Sequence, residues 1–295
     1  MKQEFSFTNS FGDTLFGHAW EIDNPDKVLF LVTGMAEHSS RYNDFALFLN
    51  ENGYSVFCLD HYGQGKNGEL GKPGKNYFFK MEKTIKEVID DLKKKFGKPV
   101  YIFAHSMGSF VTQGFIQEYK GDVEKAVICG SNGKTILFKL GNMAAHLIVN
   151  KKNYNKEAKL LQAMSIGAYE KTVKDKESIN SWISYNKENV KEYDRDELSG
   201  FKCSNGFYYE FFKGLASLHN SKKMKEVNKN IKILIVGGED DPVGNCSKGL
   251  IKLNKEYNKL GISSELIIYP KMRHEILNEE ENQKVYLDIL NFLNK

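Results

Sequence analysis

Along the chain, short runs of β-branched and aromatic residues alternate with longer stretches whose apolar positions recur every three to four residues. This is the pattern of buried strands separated by amphipathic helices. The spacing predicts strands over 28–33, 54–59, 100–104, 124–129, 231–236 and 264–269, and helices over 42–52, 77–96, 107–119, 246–260 and 279–293. Two further alternating segments, 4–8 and 14–21, have no helix between them and predict an antiparallel start to the sheet. Together these elements specify an α/β fold: a mostly parallel eight-stranded sheet flanked by crossover helices.

The alternation lapses after Cys129 and resumes near Ile231, leaving about a hundred residues rich in helix formers and aromatics. The economical expectation is a core over 1–132 and 217–295 interrupted by an inserted helical cap, or lid, over 133–216. Within that insertion Ile136, Leu137, Leu140, Met143, Leu147 and Ile148 form an apolar stripe, and Phe201, Phe207, Tyr208, Tyr209, Phe211 and Phe212 form an aromatic cluster. Each admits two readings: packing of the cap onto the core, or binding of an acyl chain or transient contact with a membrane surface.

Composition narrows the picture. At 295 residues, 41% hydrophobic and 27% charged, the chain is long enough for a large core and does not have the composition of a disordered one. Its 42 basic residues are nearly balanced by 38 acidic ones and form no concentrated stripe, which argues against a nucleic-acid partner. The excess of positive charge lies in the insertion, with 14 basic against 10 acidic residues over 133–216. Cys58, Cys129, Cys203 and Cys246 are widely spaced and form no CxxC pair. They fit reduced thiols in a cytoplasmic protein better than a disulfide scaffold or a metal site. No apolar run has the length of a bilayer span, and the N-terminal residues do not have the form of a signal peptide.

The strand ending in Tyr101-Ile102-Phe103-Ala104 runs directly into His105-Ser106-Met107-Gly108, and a helical pattern starts at once. A strand, a sharp turn and a helix with small residues two positions either side of a serine make a nucleophile elbow. Ser106 as a simple helix N-cap is the competing reading. Downstream, a late strand ends in Glu239-Asp240-Asp241-Pro242, and the last strand is followed by Arg273-His274-Glu275. Ser, Asp and His thus fall in order, each just past the end of a strand. A serine hydroxyl needs a neutral imidazole to take its proton, and a carboxylate to hold that imidazole in the right tautomer. Asp241 is favoured over Asp240 and Glu239 by its place three residues after Gly238 and just before Pro242. His274 is favoured over His18, His38, His61, His105, His146 and His219 because it alone follows the last long strand with an acid loop upstream.

These residues resemble the monoacylglycerol lipase and lysophospholipase branch of the α/β-hydrolases, a serine aminopeptidase-like group. TGMAEHSSRY at 33–42 is similar to that branch's HGxGEHSxRY loop, DHYGQGKNG at 60–68 to its DxRGHGxS loop, and AHSMGS at 104–109 to its GHSMGG elbow. SWIS at 181–184 and VKEYDRDEL at 190–198 resemble its lid-closing segment, while GEDDPVG at 238–244 and RHEILNE at 273–279 resemble its acid and histidine loops. The resemblance implies an α/β-hydrolase fold and a serine hydrolase acting on carboxylic esters of monoacyl lipids, with Ser106, Asp241 and His274 as its triad. It also implies an oxyanion hole built from the backbone N–H groups of Met35 and Met107, and neither metal nor organic cofactor. Three positions depart from the pattern: Thr33 stands for the family's histidine, Ala104 for a glycine and Glu197 for a proline. Thr33 bears on the shape of the oxyanion loop, where Glu37, His38 and Arg41 are expected to make internal polar contacts. A peptidase, thioesterase or acyltransferase on the same triad, or a non-catalytic binding protein of this fold, are the rival functions.

Overall fold

The computed structural model describes residues 2–120, 122–174 and 176–295. Among them the chain opens with β1 (Lys2–Thr8), β2 (Thr14–Trp20), β3 (Lys27–Val32), α1 (Asn43–Glu51), β4 (Tyr54–Leu59) and α2 (Tyr77–Phe96). It continues through β5 (Val100–His105), α3 (Met107–Glu118) and β6 (Lys125–Cys129). A helical excursion follows, holding α4 (Ile136–Ile148), α5 (Lys159–Met164), α6 (Ile166–Glu170), α7 (Lys187–Arg195), α8 (Asn205–Ser217) and α9 (Ser221–Glu226). The sheet then resumes with β7 (Lys232–Gly238), α10 (Lys248–Lys259), β8 (Ser263–Tyr269) and α11 (Asn282–Asn294).

The eight strands form one sheet in the order β1-β2-β4-β3-β5-β6-β7-β8. β2 runs antiparallel to both β1 and β4, and every other pairing is parallel. The inner strands read as nearly continuous apolar runs because both faces of the sheet are covered. Val28, Phe30 and Val32 of β3 pack on one side with residues of α2, α3 and α10, while Leu29 and Leu31 pack on the other with residues of α1 and α11. Phe30, Phe57, Phe103 and Phe115 are fully buried. Each such side chain contributes about 1.5–3 kcal/mol relative to exposure.

The two apolar clusters of the excursion separate in the structure. Phe207, Tyr208 and Phe211 of α8 are buried, and α4 packs on α8 so closely that a Cβ at Gly141 would lie 2.6 Å from the Phe212 ring. The stripe on α4, by contrast, faces outward: Leu140 is 50% and Leu147 88% exposed, and only Ala145 of this helix is buried. Packing against the core therefore accounts for the aromatic cluster and, within the stripe, for Ile148 alone. No helix among the described residues is long and apolar enough to cross a membrane.

Candidate active site

β5, β7 and β8 are parallel and share a carboxyl edge with β6, so the loops that follow them meet there. Ser106 sits on the turn from β5 to α3 at φ +50°, ψ −121°, a conformation costly for a residue with a Cβ and maintained by its surroundings. Gly108 lets the helix start pass close by: a Cβ there would lie 2.4 Å from the backbone oxygens of Val32 and Thr33. Ala104, the departure at the other flank, is fully buried.

The three side chains converge. His274 Nδ1 donates to Asp241 Oδ2 at 3.0 Å, leaving Nε2 to accept the Ser106 hydroxyl at 2.8 Å. Asp241 is wholly buried, and its second oxygen accepts from Val243 N at 2.9 Å. That bond, made within its own loop, fixes the carboxylate against His274. Asp240 points elsewhere, accepting the Tyr185 hydroxyl at 2.9 Å on the surface. The ring of Trp182, from the SWIS segment, lies 5.1 Å from the His274 ring.

The loop after β3 is clamped so as to leave one donor over. Gly34 N–H donates to Glu37 Oε1, and Ala36 N–H donates to Gln64 Oε1 at 2.6 Å. Between them, the Met35 N–H has no hydrogen-bond partner among the described residues, and neither has that of Met107 at the start of α3. Both residues line the same cavity as Ser106. Two unpaired N–H groups beside a serine hydroxyl are what a developing oxyanion requires. Thr33 is buried; its carbonyl accepts from His61 Nε2 at 2.9 Å, and burial lowers the His61 pKa to about 4, keeping that ring neutral. Gln64 also donates to the Gly34 carbonyl at 2.9 Å, and the Ala36 carbonyl accepts from Tyr193 Oη at 3.0 Å. These contacts shape the loop without a histidine at position 33.

A buried charge network backs the site. Glu37 Oε1 accepts from Tyr42 Oη at 2.7 Å and His105 Nδ1 at 3.1 Å, while His105 Nε2 donates to the His274 carbonyl at 3.2 Å. Both ring nitrogens of His105 face acceptors, so the imidazolium satisfies the site best. Burial pushes the Glu37 carboxyl up, but His105 and Arg41 outweigh it and hold the carboxyl below its usual range. Burial likewise opposes charge on His105, and Glu37 overcomes it, raising the imidazole pKa. Arg41 makes a bidentate pair with Glu275 at 2.6 and 2.8 Å. Against the cost of burial this holds the Glu275 carboxyl at about 2. Asn189 of α7 donates to the same carboxylate at 2.8 Å, tying the helical excursion to the histidine loop. His38 reaches Asp196 at 2.7 Å. Sequence reasoning named Glu37, His38 and Arg41 as loop supports. It missed His61, Gln64, Asn189 and Tyr193, although the first two stand in the DHYGQGKNG stretch.

Above Ser106 and His274 lies a cavity of about 760 Å³, lined on the excursion side by Phe138, Leu161, Ile166, Phe211, Phe212 and Leu215. Leu137 and Leu140, half or more exposed, also line it, so the outward stripe of α4 is continuous with the cavity. No group of three or more His, Cys, Asp or Glu side chains that could hold a metal ion occurs among the described residues.

The sheet order, the excursion between β6 and β7 and the strained serine turn define the α/β-hydrolase class of fold. The chain belongs to the serine aminopeptidase S33 family, whose family model matches residues 23–281. It is 23% identical to a monoacylglycerol lipase of Mycolicibacterium smegmatis, the alignment covering 99% of this chain and 97% of that protein. It is 22% identical to phospholipase YtpA of Bacillus subtilis, over 90% of this chain and 95% of that one. A thermostable carboxyl esterase from Bacillus coagulans, solved in complex with glycerol, matches in fold with a TM-score of 0.91 at 23% identity, covering 99% of this chain and 98% of that one.

Proposed function

We propose that the protein is a serine carboxylic ester hydrolase that cleaves medium- or long-chain monoacyl lipids, of lysophospholipase or monoacylglycerol lipase type. The observation that carries this reading is the Ser106–His274 contact of 2.8 Å at the floor of a largely apolar cavity. His274 Nε2 takes the Ser106 proton as Oγ bonds to the ester carbonyl carbon, and the Met35 and Met107 N–H groups receive the negative oxygen. Asp241 stabilises the resulting imidazolium. The carbonyl re-forms, the C–O bond to the alcohol breaks, and His274 passes its proton to the departing oxygen. Water repeats the sequence on the acyl-enzyme, releasing the fatty acid and restoring Ser106.

The relatives named a monoacylglycerol lipase and a phospholipase support the substrate class. A peptidase that reads a free amine needs an uncommitted carboxylate in the cavity. Glu37 and Glu275 are bound to Arg41, and Glu170 to Lys176 at 2.7 Å. The segment from α4 to α8 acts as the cap, and the exposed stripe of α4 touches a lipid surface transiently while substrate enters. Leu147→Ser is expected to weaken sedimentation with phospholipid vesicles; unchanged sedimentation refutes that contact. For the reaction itself, Ser106→Ala is expected to abolish both fluorophosphonate labelling and turnover across an ester panel of graded acyl length. Wild-type turnover by that variant refutes the proposed function.

A further inference from the structure

One part of the cavity wall is cationic. Lys134, Lys248 and Lys252 line it alongside Asn132 and Asn245. A groove of about 900 Å³ adjoins the cavity, sharing Lys134, Thr135, Phe138, Leu215 and Lys252 with it and adding Lys139, Lys222 and Lys223. Among the described residues no Asp or Glu lines this groove. Lys223 pairs with Glu118 at 2.9 Å, outside the groove lining.

Lys134, Lys139, Lys222, Lys248 and Lys252 make no ion pair among the described residues, in contrast to surface lysines such as Lys80, Lys86 and Lys95. The Lys252 ammonium donates to the Lys134 carbonyl, fixing these two positions to each other. One acid, Glu256, feels the charge of Lys134 and Lys252, but its Oε2 lies 3.2 Å from Nδ1 of buried His219 and outside the groove lining. The groove also holds the start of α4, a 13-residue helix with no acidic side chain in its first turn, so its partial positive charge adds to that of the lysines. Like charges gathered in excess of their counter-charge repel one another, and an anion entering the groove relieves that repulsion.

We infer that Lys134 and Lys252, flanked by Lys139, Lys222 and Lys248, form an anion subsite that receives the phosphate of a lysophospholipid whose ester lies at Ser106. This rests on the monoacyl-ester hydrolase reading and specifies its head group. The acyl chain occupies the apolar lining, and the phosphate lies where the cavity opens into the groove. Lysine ammonium groups act there as point charges with three donors each, suited to a phosphate that can rotate.

The test compares two substrates with the same medium-length acyl chain, a monoacylglycerol and a lysophosphatidylglycerol, both as monomers below micelle formation. For Lys134→Gln/Lys252→Gln, kcat/KM on the phosphate substrate is expected to fall about tenfold, a moderate figure because the lysines are solvated, while the neutral substrate stays within about twofold. Lys134→Arg/Lys252→Arg is expected to keep the phosphate preference. Equal losses on both substrates overturn the subsite, as does no loss on either. So does a loss confined to substrate embedded in anionic vesicles, which assigns the lysines to surface attraction. Wild-type monoacylglycerol turnover by the Ser106→Ala protein, in contrast, defeats the underlying hydrolase reading whatever the lysine variants do.

Discussion

Glu37→Gln tests the idea that buried charge holds the loop after β3 in shape. The carboxylate is 4% exposed and receives Gly34 N–H, Tyr42 O–H, His105 Nδ1–H and the Arg41 guanidinium. Glutamine keeps the volume and one acceptor oxygen, so the Gly34 and Tyr42 bonds can survive. Its NH₂ group, however, then takes the place of Oε2 and meets the Arg41 guanidinium, while His105 faces a neutral amide in place of a carboxylate. Removing one partner of a buried ion pair costs about 3–5 kcal/mol. Arg41 retains its bidentate bond to Glu275, so the lower end applies, about 3 kcal/mol. For a chain of this size that lowers Tm by about 5 °C. A loosened Gly34 also misdirects the neighbouring Met35 N–H, whose complete loss would cost about 100- to 1,000-fold. A fall in kcat of about tenfold with little change in KM is therefore expected on a nitrophenyl ester. The pH dependence carries its own signature. His105 has a raised pKa in the fold, so its stabilisation is complete below the ordinary imidazole range and is lost as pH rises through the raised value. In the variant that alkaline loss is absent. Thermal melts across pH together with steady-state kinetics measure both effects, and an unchanged Tm and kcat would refute the reasoning.

Two further outcomes are expected. Asp241→Asn lowers kcat by about 10,000-fold by disfavouring the required His274 tautomer, whereas Asp240→Asn stays within about twofold; the reverse ranking in ester kinetics would show that the buried aspartate does not orient the base. Burial pushes the Glu82 carboxyl from 4.5 up to about 8, so the folded chain holds a proton there that the unfolded chain releases, and stability falls as pH rises across that interval. Glu82→Gln removes this loss and is expected to stabilise the protein by up to about 5 kcal/mol above about pH 8; urea titrations with the same pH slope in both proteins would disprove it.

Strand and helix positions were legible because a sheet covered on both faces needs long apolar runs, and its crossover helices need one apolar stripe each. β4 and α2 begin and end where periodicity places them, and most other boundaries shift by one to three residues. The order of Ser106, Asp241 and His274, each past the end of a parallel strand, was readable for the same reason: parallel strands carry all their outgoing loops to one edge.

Only the tertiary structure decided which neighbour of a pair turns inward. Asp240 and Asp241 have the same chemistry, and the bond from Val243 N–H to Asp241 orients one of them toward His274. The clamp of Gln64, Glu37 and Tyr193 on residues 34–36 joins segments up to 157 positions apart along the chain, a relation that no local period records. The same holds for the outward stripe of α4 and the aromatic cluster of α8. As sequences both are simply apolar; α4 packs on α8 through a contact as close as Gly141 against Phe212 and leaves its stripe in solvent. Hydrophobic periodicity is a property of each segment by itself. Which of its faces meets another segment, and which buried charge finds a partner, depends on how the whole chain packs.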